Sequence, residues 1–265
     1  MNGLERSRTH LETLGLAQAA AILDGRVDTA TSEKPSYADF LAYLLESEVR
    51  VRRDRYLITR TRLAHLPFHK TLEEFKFAFQ PTIDERQVRS LGNLAFVAEA
   101  ANVILLGPPG VGQTHLAVGL GLQAIQNGYG VYFVTAHELI EDLRKAYNEQ
   151  RLDRRLRIYR APKVLIIDEM GVYAMDQLGA SLFFQLVAAR YEKSSIILTS
   201  NKGFAEWGDI LGDPVIATAV LDRLLHHSHI LNIRGDSYRL REKRKAGLLP
   251  SPFAHEQAAL HSRGG

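Results

Sequence analysis

The stretch Gly107-Pro-Pro-Gly-Val-Gly-Gln-Thr114 limits what this chain can fold into more than any other. An apolar run, Asn102-Val-Ile-Leu-Leu106, precedes it, and His115-Leu-Ala-Val-Gly-Leu120 follows, so the order reads strand, glycine-rich loop, helix. Glycines at such a junction let the backbone turn several N–H groups toward one anion, and the helix start adds the positive end of its dipole. This is the context in which the pattern G-x-x-x-x-G-K-[ST] cradles nucleotide phosphates. Gly107, Gly110, Gly112 and Thr114 fit that pattern, and Pro108, Pro109, Val111 and His115 complete the expected nucleotide contact. Position 113 holds Gln where the pattern requires Lys. ATP is the expected ligand, with the Thr114 hydroxyl directed at Mg2+.

A second signal supports the first. Lys163-Val-Leu-Ile-Ile-Asp168-Glu169 reads as a buried strand that ends in two carboxylates. Carboxylates at the end of an apolar strand carry a desolvation penalty, so they need a purpose or a helix to cap. Beside a phosphate loop, Asp168 would join Thr114 in the Mg2+ shell and Glu169 would polarise an attacking water. Thr199-Ser-Asn201 ends the next strand, and Asn201 is either a turn residue or a neutral group that orients a water or touches the γ-phosphate.

The alternation of strands and helices around these motifs predicts a three-layer α/β domain. Strands are expected at 103–106, 130–135, 163–168, 195–199 and 229–233, with helices at about 113–127, 136–149, 176–192 and 215–227. Runs as continuously apolar as Val164–Ile167 and Ile196–Leu198 are buried on both faces, as parallel sheets require. The predicted fold is therefore a P-loop NTPase domain with a parallel sheet, over residues 67–250, preceded by a small all-α module at 1–66. That module combines a loosely helical segment at 1–25, a polar linker at 26–35 and a long helix starting after Ser36. Phe75, Phe77 and Phe79 alternate as in an extended stretch, and a helix is expected from Asp84 to about Ala98. The segment 251–265 reads as a frayed tail.

With 265 residues and 46% hydrophobic content the chain can bury a large core. The absence of cysteine excludes disulfides and thiolate metal sites. Charged residues interrupt the N-terminal apolar positions and no apolar run is long enough to span a bilayer, so a cytoplasmic, nucleoid-associated protein with no membrane contact is expected. The net charge is only +3, but the cations are clustered. Arg50, Arg52, Arg53, Arg55, Arg60 and Arg62 crowd one helix, and Arg151, Arg154, Arg155 and Arg157 crowd another segment. Both suit a duplex DNA backbone; the alternatives are a solvated face pairing with Glu46, Glu48 and Asp54 for the first, and an exposed helix against the acidic face of a neighbouring subunit for the second. His226, His227 and His229 have no carboxylate at a metal-binding sequence offset and read as packing and helix-end charge.

The motifs together resemble a known family. Gly-Pro-Pro-Gly-Val-Gly-x-Thr-His-Leu-Ala, Leu165-Ile-Ile-Asp-Glu-Met-Gly171, Leu198-Thr-Ser-Asn201, Leu221-Asp-Arg-Leu-Leu-His-His-Ser-His229 and Ser237-Tyr-Arg-Leu-Arg-Glu-Lys-Arg-Lys-Ala-Gly247 look like the IstB-type transposition helper ATPases. These are AAA+ proteins close to the DnaC-type helicase loaders, and the resemblance covers roughly residues 36–250. It implies an ATP- and Mg2+-dependent homo-oligomer that remodels duplex DNA and delivers it to a transposase of the same element. It also implies that Asp168 and Glu169 are the Walker B pair, Asn201 is sensor 1, Arg223 is an arginine finger and Arg239 is a sensor 2 arginine. Gln113 departs from the family pattern, either as an introduced change or as a natural variant, and should impair turnover more than binding. The rival readings are a helicase loader in the same fold and a DNA-binding scaffold that does not hydrolyse ATP.

Overall fold

The computed structural model describes residues 2–235, 237, 238 and 240, so Arg239 and the segment 251–265 lie outside the described residues. The chain divides into two compact units, the first ending at Arg60 and the second beginning at Thr61.

The first unit is helical: α1 (Gly3–Thr13), α2 (Ala17–Glu33) and the start of α3 (Tyr37–Leu63). Ala19, Leu23 and Leu44 form a small buried core, with Leu4, Leu11, Leu16, Val27 and Phe40 packed around it. Residues 26–33, expected to be linker, are the second half of α2. The helix runs through Gly25 because its alanines favour helix and Val27 has a core to pack against. Lys34, at φ 52, ends it before Pro35. Ser36 Oγ then accepts from the Asp39 N–H at 3.1 Å, which is the start signal read from the sequence. α2 has no side-chain cap of its own. Glu48, from α3, supplies one instead: its Oε2 accepts from the Gln18 and Ala19 N–H groups at 2.8 and 3.3 Å.

The second unit opens with a 3-10 turn at Phe77–Phe79, followed by α4 (Glu85–Gly92) and α5 (Ala95–Ala98). Phe77 and Phe79 are therefore wound, not extended, and Phe75 lies just ahead of the turn. The single helix expected over 84–98 breaks at Leu94, whose φ of 61 lets both Leu91 and Phe96 be buried. The alternating part then follows the expected order. It contains β1 (Asn102–Leu106), α6 (Gln113–Gln126), β2 (Val131–Thr135), α7 (Ala136–Asn148), α8 (Leu152–Arg160), β3 (Val164–Met170), α9 (Gln177–Arg190), β4 (Ser195–Ser200), α10 (Trp207–Leu211), α11 (Pro214–Leu225) and β5 (Ser228–Asn232). The sequence reading placed no element at α8 or α10. Caps expected from chemistry are present: Thr135 and Glu138 form a capping box on α7, and Asp213 caps α11 ahead of Pro214.

All five strands are parallel, in the order β2-β3-β4-β1-β5. Alternate strand residues sort to the two faces. Ile104, Leu165, Ile167, Ile196 and Leu198 join the buried cluster formed with α7, α9, α10 and α11. The opposite face carries α6, where Gly121 approaches so closely that a Cβ would lie 2.8 Å from Ile166 Cδ1. The connection leaving β1 runs to the far edge of the sheet, whereas that leaving β4 crosses β1 to reach β5. Right-handed crossovers in opposite directions put their helices on opposite faces, which opens a crevice at the carboxyl ends of β1 and β4. At the other end of the sheet, the buried Arg190 guanidinium donates to the carbonyls of Tyr159, Pro162, Lys163 and Ser195. Burial lowers its pKa to about 9, which still leaves it charged at neutral pH.

Candidate nucleotide site

The loop between β1 and α6 lies in that crevice. Gly110 and Gly112 have φ of 87 and 104, values that L side chains rarely adopt, and Gly112 stands so close to Phe75 that a Cβ would lie 2.6 Å from its ring. Pro108 and Pro109 are exposed, Val111 is buried against the core, and Thr114 and His115 begin the helix. His115 Nε2 lies 2.8 Å from the Thr71 carbonyl oxygen.

Gln113 does not face the loop's concavity with its amide nitrogen. The side chain is buried, and Nε2 donates to the carbonyls of Leu105 (2.9 Å) and Ser200 (2.8 Å), tying the ends of β1 and β4 together. Gly107 N–H donates to the same Ser200 carbonyl at 3.1 Å. The glutamine thus stitches the strand ends from which the loop springs.

The two carboxylates of β3 are handled differently. Asp168 is buried and shares the α6 face of the sheet with Ile166. Thr114 Oγ1 stands 3.1 Å from each of its carboxylate oxygens. Thr199 Oγ1 donates to Asp168 Oδ1 and accepts from the Glu169 N–H at 2.9 Å. Glu169 itself is exposed, at φ 61, where the β3–β4 register shifts between Ile167 and Met170. A non-glycine residue held in the left-handed region marks a constrained position, and here the constraint turns the carboxylate out of the strand. Asn201 is exposed just beyond β4, with Oδ1 3.2 Å from where a Cβ on Gly171 would sit. Asp168, Glu169 and Asn201 therefore lie at the carboxyl ends of β3 and β4, with Asp168 beside Thr114.

Opposite the loop, a cleft of about 680 Å³ is lined by Phe68, Lys70, Phe75, Lys76, Phe79 and Tyr238 together with residues 110–115. The Tyr238 N–H donates to the Gly110 carbonyl at 2.9 Å, and its ring meets Phe79 edge-on. Sequence reasoning missed this apolar wall and missed Thr199. The alternating phenylalanines carried the signal for the wall, and a lone hydroxyl ending the apolar run Ile196–Leu198 carried the signal for Thr199. The cleft fits a nucleotide: backbone N–H groups at one end, aromatic rings along it, and a hydroxyl paired with a carboxylate where Mg2+ would be held.

The remaining sequence-predicted residues lie elsewhere. Arg223 is half-buried near the amino ends of the strands, because α11 runs into β5 there and Asn102 pairs with Ser228. Its Nη1 donates to the Ala219 carbonyl and its guanidinium stacks 4.8 Å from the Phe184 ring. It is remote from the loop of its own chain. Of the basic residues, Arg52 pairs with Glu48 and donates to the Gly15 carbonyl, which ties it into the first unit's turn. Arg151 pairs with Glu149, and Arg155 with Asp142. Among the described residues Arg50, Arg53, Arg55, Arg60, Arg62, Arg154 and Arg157 form no ion pair, and Arg60 packs over Tyr56.

The family model of the IstB-like ATP binding proteins matches residues 9–246. The chain belongs to that family. Within it, the chain is 48% identical over 240 residues to a protein named for ATP binding in insertion sequence IS5376 of Geobacillus stearothermophilus, covering 91% of this chain and 96% of that one. It is 51% identical over 239 residues to the corresponding IS21 protein of Pseudomonas aeruginosa, covering 90% of each. Among solved structures it resembles DnaI (TM-score 0.54, 19% identity, 62% of this chain and 91% of that one). It also resembles AMPPCP-bound DnaA from Aquifex aeolicus (TM-score 0.53, 20% identity, 71% and 59%). These likenesses bear out the P-loop NTPase fold of the AAA+ type expected from the sequence. Among the described residues no helix is long and apolar enough to cross a membrane.

Proposed function

We propose that this family member is an ATP-dependent helper of DNA transposition, which assembles on duplex DNA, remodels it and presents it to a transposase. The observation that carries the reading is the convergence of Thr114, Asp168, Thr199 and Glu169 at the strand ends beside the phosphate loop. The names of its relatives, which place ATP-binding proteins in insertion sequences, support the setting.

In this reading the loop N–H groups bind the ATP phosphates, and the Phe75–Phe79 wall excludes water from the base. Thr114 and Asp168 would hold Mg2+, which when bound draws charge off the phosphate oxygens. Glu169 takes the proton of the attacking water as its oxygen bonds the γ-phosphorus and the bond to the ADP oxygen breaks. Asn201 orients that water. Arg223 faces away from its own loop, so it acts on the nucleotide of a neighbouring copy. The loop lacks the mobile cation that follows charge onto the phosphoryl group. The Gln113 amide instead holds Leu105 and Ser200, so turnover is slow while binding persists.

The unpaired arginines of α3 and of α8 form the DNA-facing surfaces. Binding of a duplex should strengthen with ATP over ADP and weaken steeply as salt rises from 50 to 200 mM, as phosphate contacts require. Equal affinity with and without nucleotide, or indifference to salt, would sink the proposal. Capture of a helicase in place of the transposase would favour the loader reading.

A further inference from the structure

We propose that Glu192, His226 and His227 form a binding site for a zinc-class transition-metal ion. In sequence the two histidines have no partner carboxylate at a ligand offset. The fold supplies one, because the turn after α9 and the turn between α11 and β5 meet at the amino edge of the sheet. Glu192 Oε1 stands 3.8 Å from His226 Nδ1 and 3.7 Å from His227 Nε2, and the three potential ligand atoms all lie within 4.8 Å of one another.

Two imidazoles and one carboxylate are the donor set that suits zinc and its neighbours and not Mg2+ or Ca2+. Tetrahedral ligands at 2.0–2.2 Å from a metal stand about 3.3 Å apart, so the glutamate oxygen needs to close by only about half an ångström on each histidine. Exposed side chains can make that shift by small rotations. The backbones that carry them are already fixed. Glu192 is held in the left-handed region at φ 55, in a turn closed by Lys193 and Ser194 N–H bonds to the carbonyl of the buried Arg190. His226 N–H donates to the Asp222 carbonyl, and the His227 carbonyl accepts from Asn102 N–H at 2.8 Å at the start of β1. Tyr191 Oη lies 2.7 Å from His226 Nδ1, so an arriving ion would displace it or recruit it. Arg223 lines the same hollow as Glu192 and His227, with its guanidinium over Phe184 and its Nη1 on the Ala219 carbonyl. His229 lies on β5 outside the cluster.

Calorimetric titration of the untagged full chain with Zn2+ alone tests the site. One equivalent should bind, and His226→Ala, His227→Ala and Glu192→Gln should each weaken binding at least about tenfold, the loss that even an outer-shell partner produces. His229→Ala should bind as the parent does, and unchanged thermal melts of the variants would separate loss of ligand from loss of fold. Co2+ bound to the parent should show the visible absorption of a tetrahedral site. The same stoichiometry and affinity in the parent and in the His226→Ala/His227→Ala double variant would overturn the proposal and leave adventitious surface binding only.

Discussion

At the scale of single residues, the site is organised by hydrogen bonds as much as by charge. Thr199 is the clearest case: one hydroxyl donates to Asp168 and accepts from the backbone of Glu169, so it ties the Asp168 carboxylate to the backbone that carries Glu169. It touches no reacting atom and is a positioning residue. In a Gln113→Lys background, Thr199→Val should lower kcat for ATP hydrolysis by about 10- to 100-fold, the range seen for outer-shell partners of metal sites. The ATP Kd should change little, because the loop and the aromatic wall are untouched. A loss confined to Kd with kcat intact would show that the hydroxyl does not align the chemistry. Residues of this kind are hard to read from sequence. The loop, Asp168, Glu169 and Asn201 were legible because their chemistry needs particular side chains at strand ends. Thr199 was not singled out, since a threonine in a strand is ordinary, and the partner of His226 and His227 comes from a distant turn.

At the scale of elements, the errors of sequence reading have a common physical cause: tertiary contact overrides local composition. The polar stretch at 26–33 is helical because Val27 has a core to join, and the phenylalanines at 75–79 do not run as a strand because Gly112 meets the Phe75 ring and Tyr238 meets the Phe79 ring. Glu48 shows the same cooperation between elements. Burial acts to raise its pKa, but the Ala19 and Gln18 N–H groups and Arg52 outweigh it and hold the carboxyl below the ordinary glutamate value. A group depressed in the folded state stabilises the fold above its unfolded pKa, and that stabilisation fades as pH falls through the folded value. Glu48→Gln should therefore lower the denaturant midpoint of the α1–α3 unit at pH 7, with the gap to the parent closing as pH drops below about 4.5. A gap that stays constant down to strongly acidic pH would remove the carboxylate from the account. The same principle separates the arginines of the proposed DNA surface: Arg52, Arg151 and Arg155 have acidic partners, whereas among the described residues Arg50, Arg53, Arg154 and Arg157 form no ion pair.

At the scale of the whole molecule, the parallel sheet places the phosphate loop at one end of the strands and Arg223 at the other. One chain cannot bring the two together, so the proposed role of Arg223 requires a second copy. Arg223→Ala should reduce turnover by roughly 10³-fold or more without weakening ATP binding, the scale expected of an arginine finger. Mixing Arg223→Ala with Glu169→Gln should restore part of the activity, since each copy supplies what the other lacks; no recovery on mixing would argue against action between subunits. The fold class and the succession of strands and helices along the chain were readable from the sequence because buried parallel strands are long apolar runs. The meeting of distant edges was not readable, because it is a property of the crossover pattern.

The central claim is that this chain retains an ATP site whose hydrolysis is limited at position 113. The direct measurement is the steady-state ATPase rate, with and without duplex DNA, of the chain and of Gln113→Lys. The account predicts slow turnover in the parent and a rise of about 10²-fold or more in the variant, the scale of a missing charge-stabilising donor. Equal, negligible rates in both proteins would contradict it.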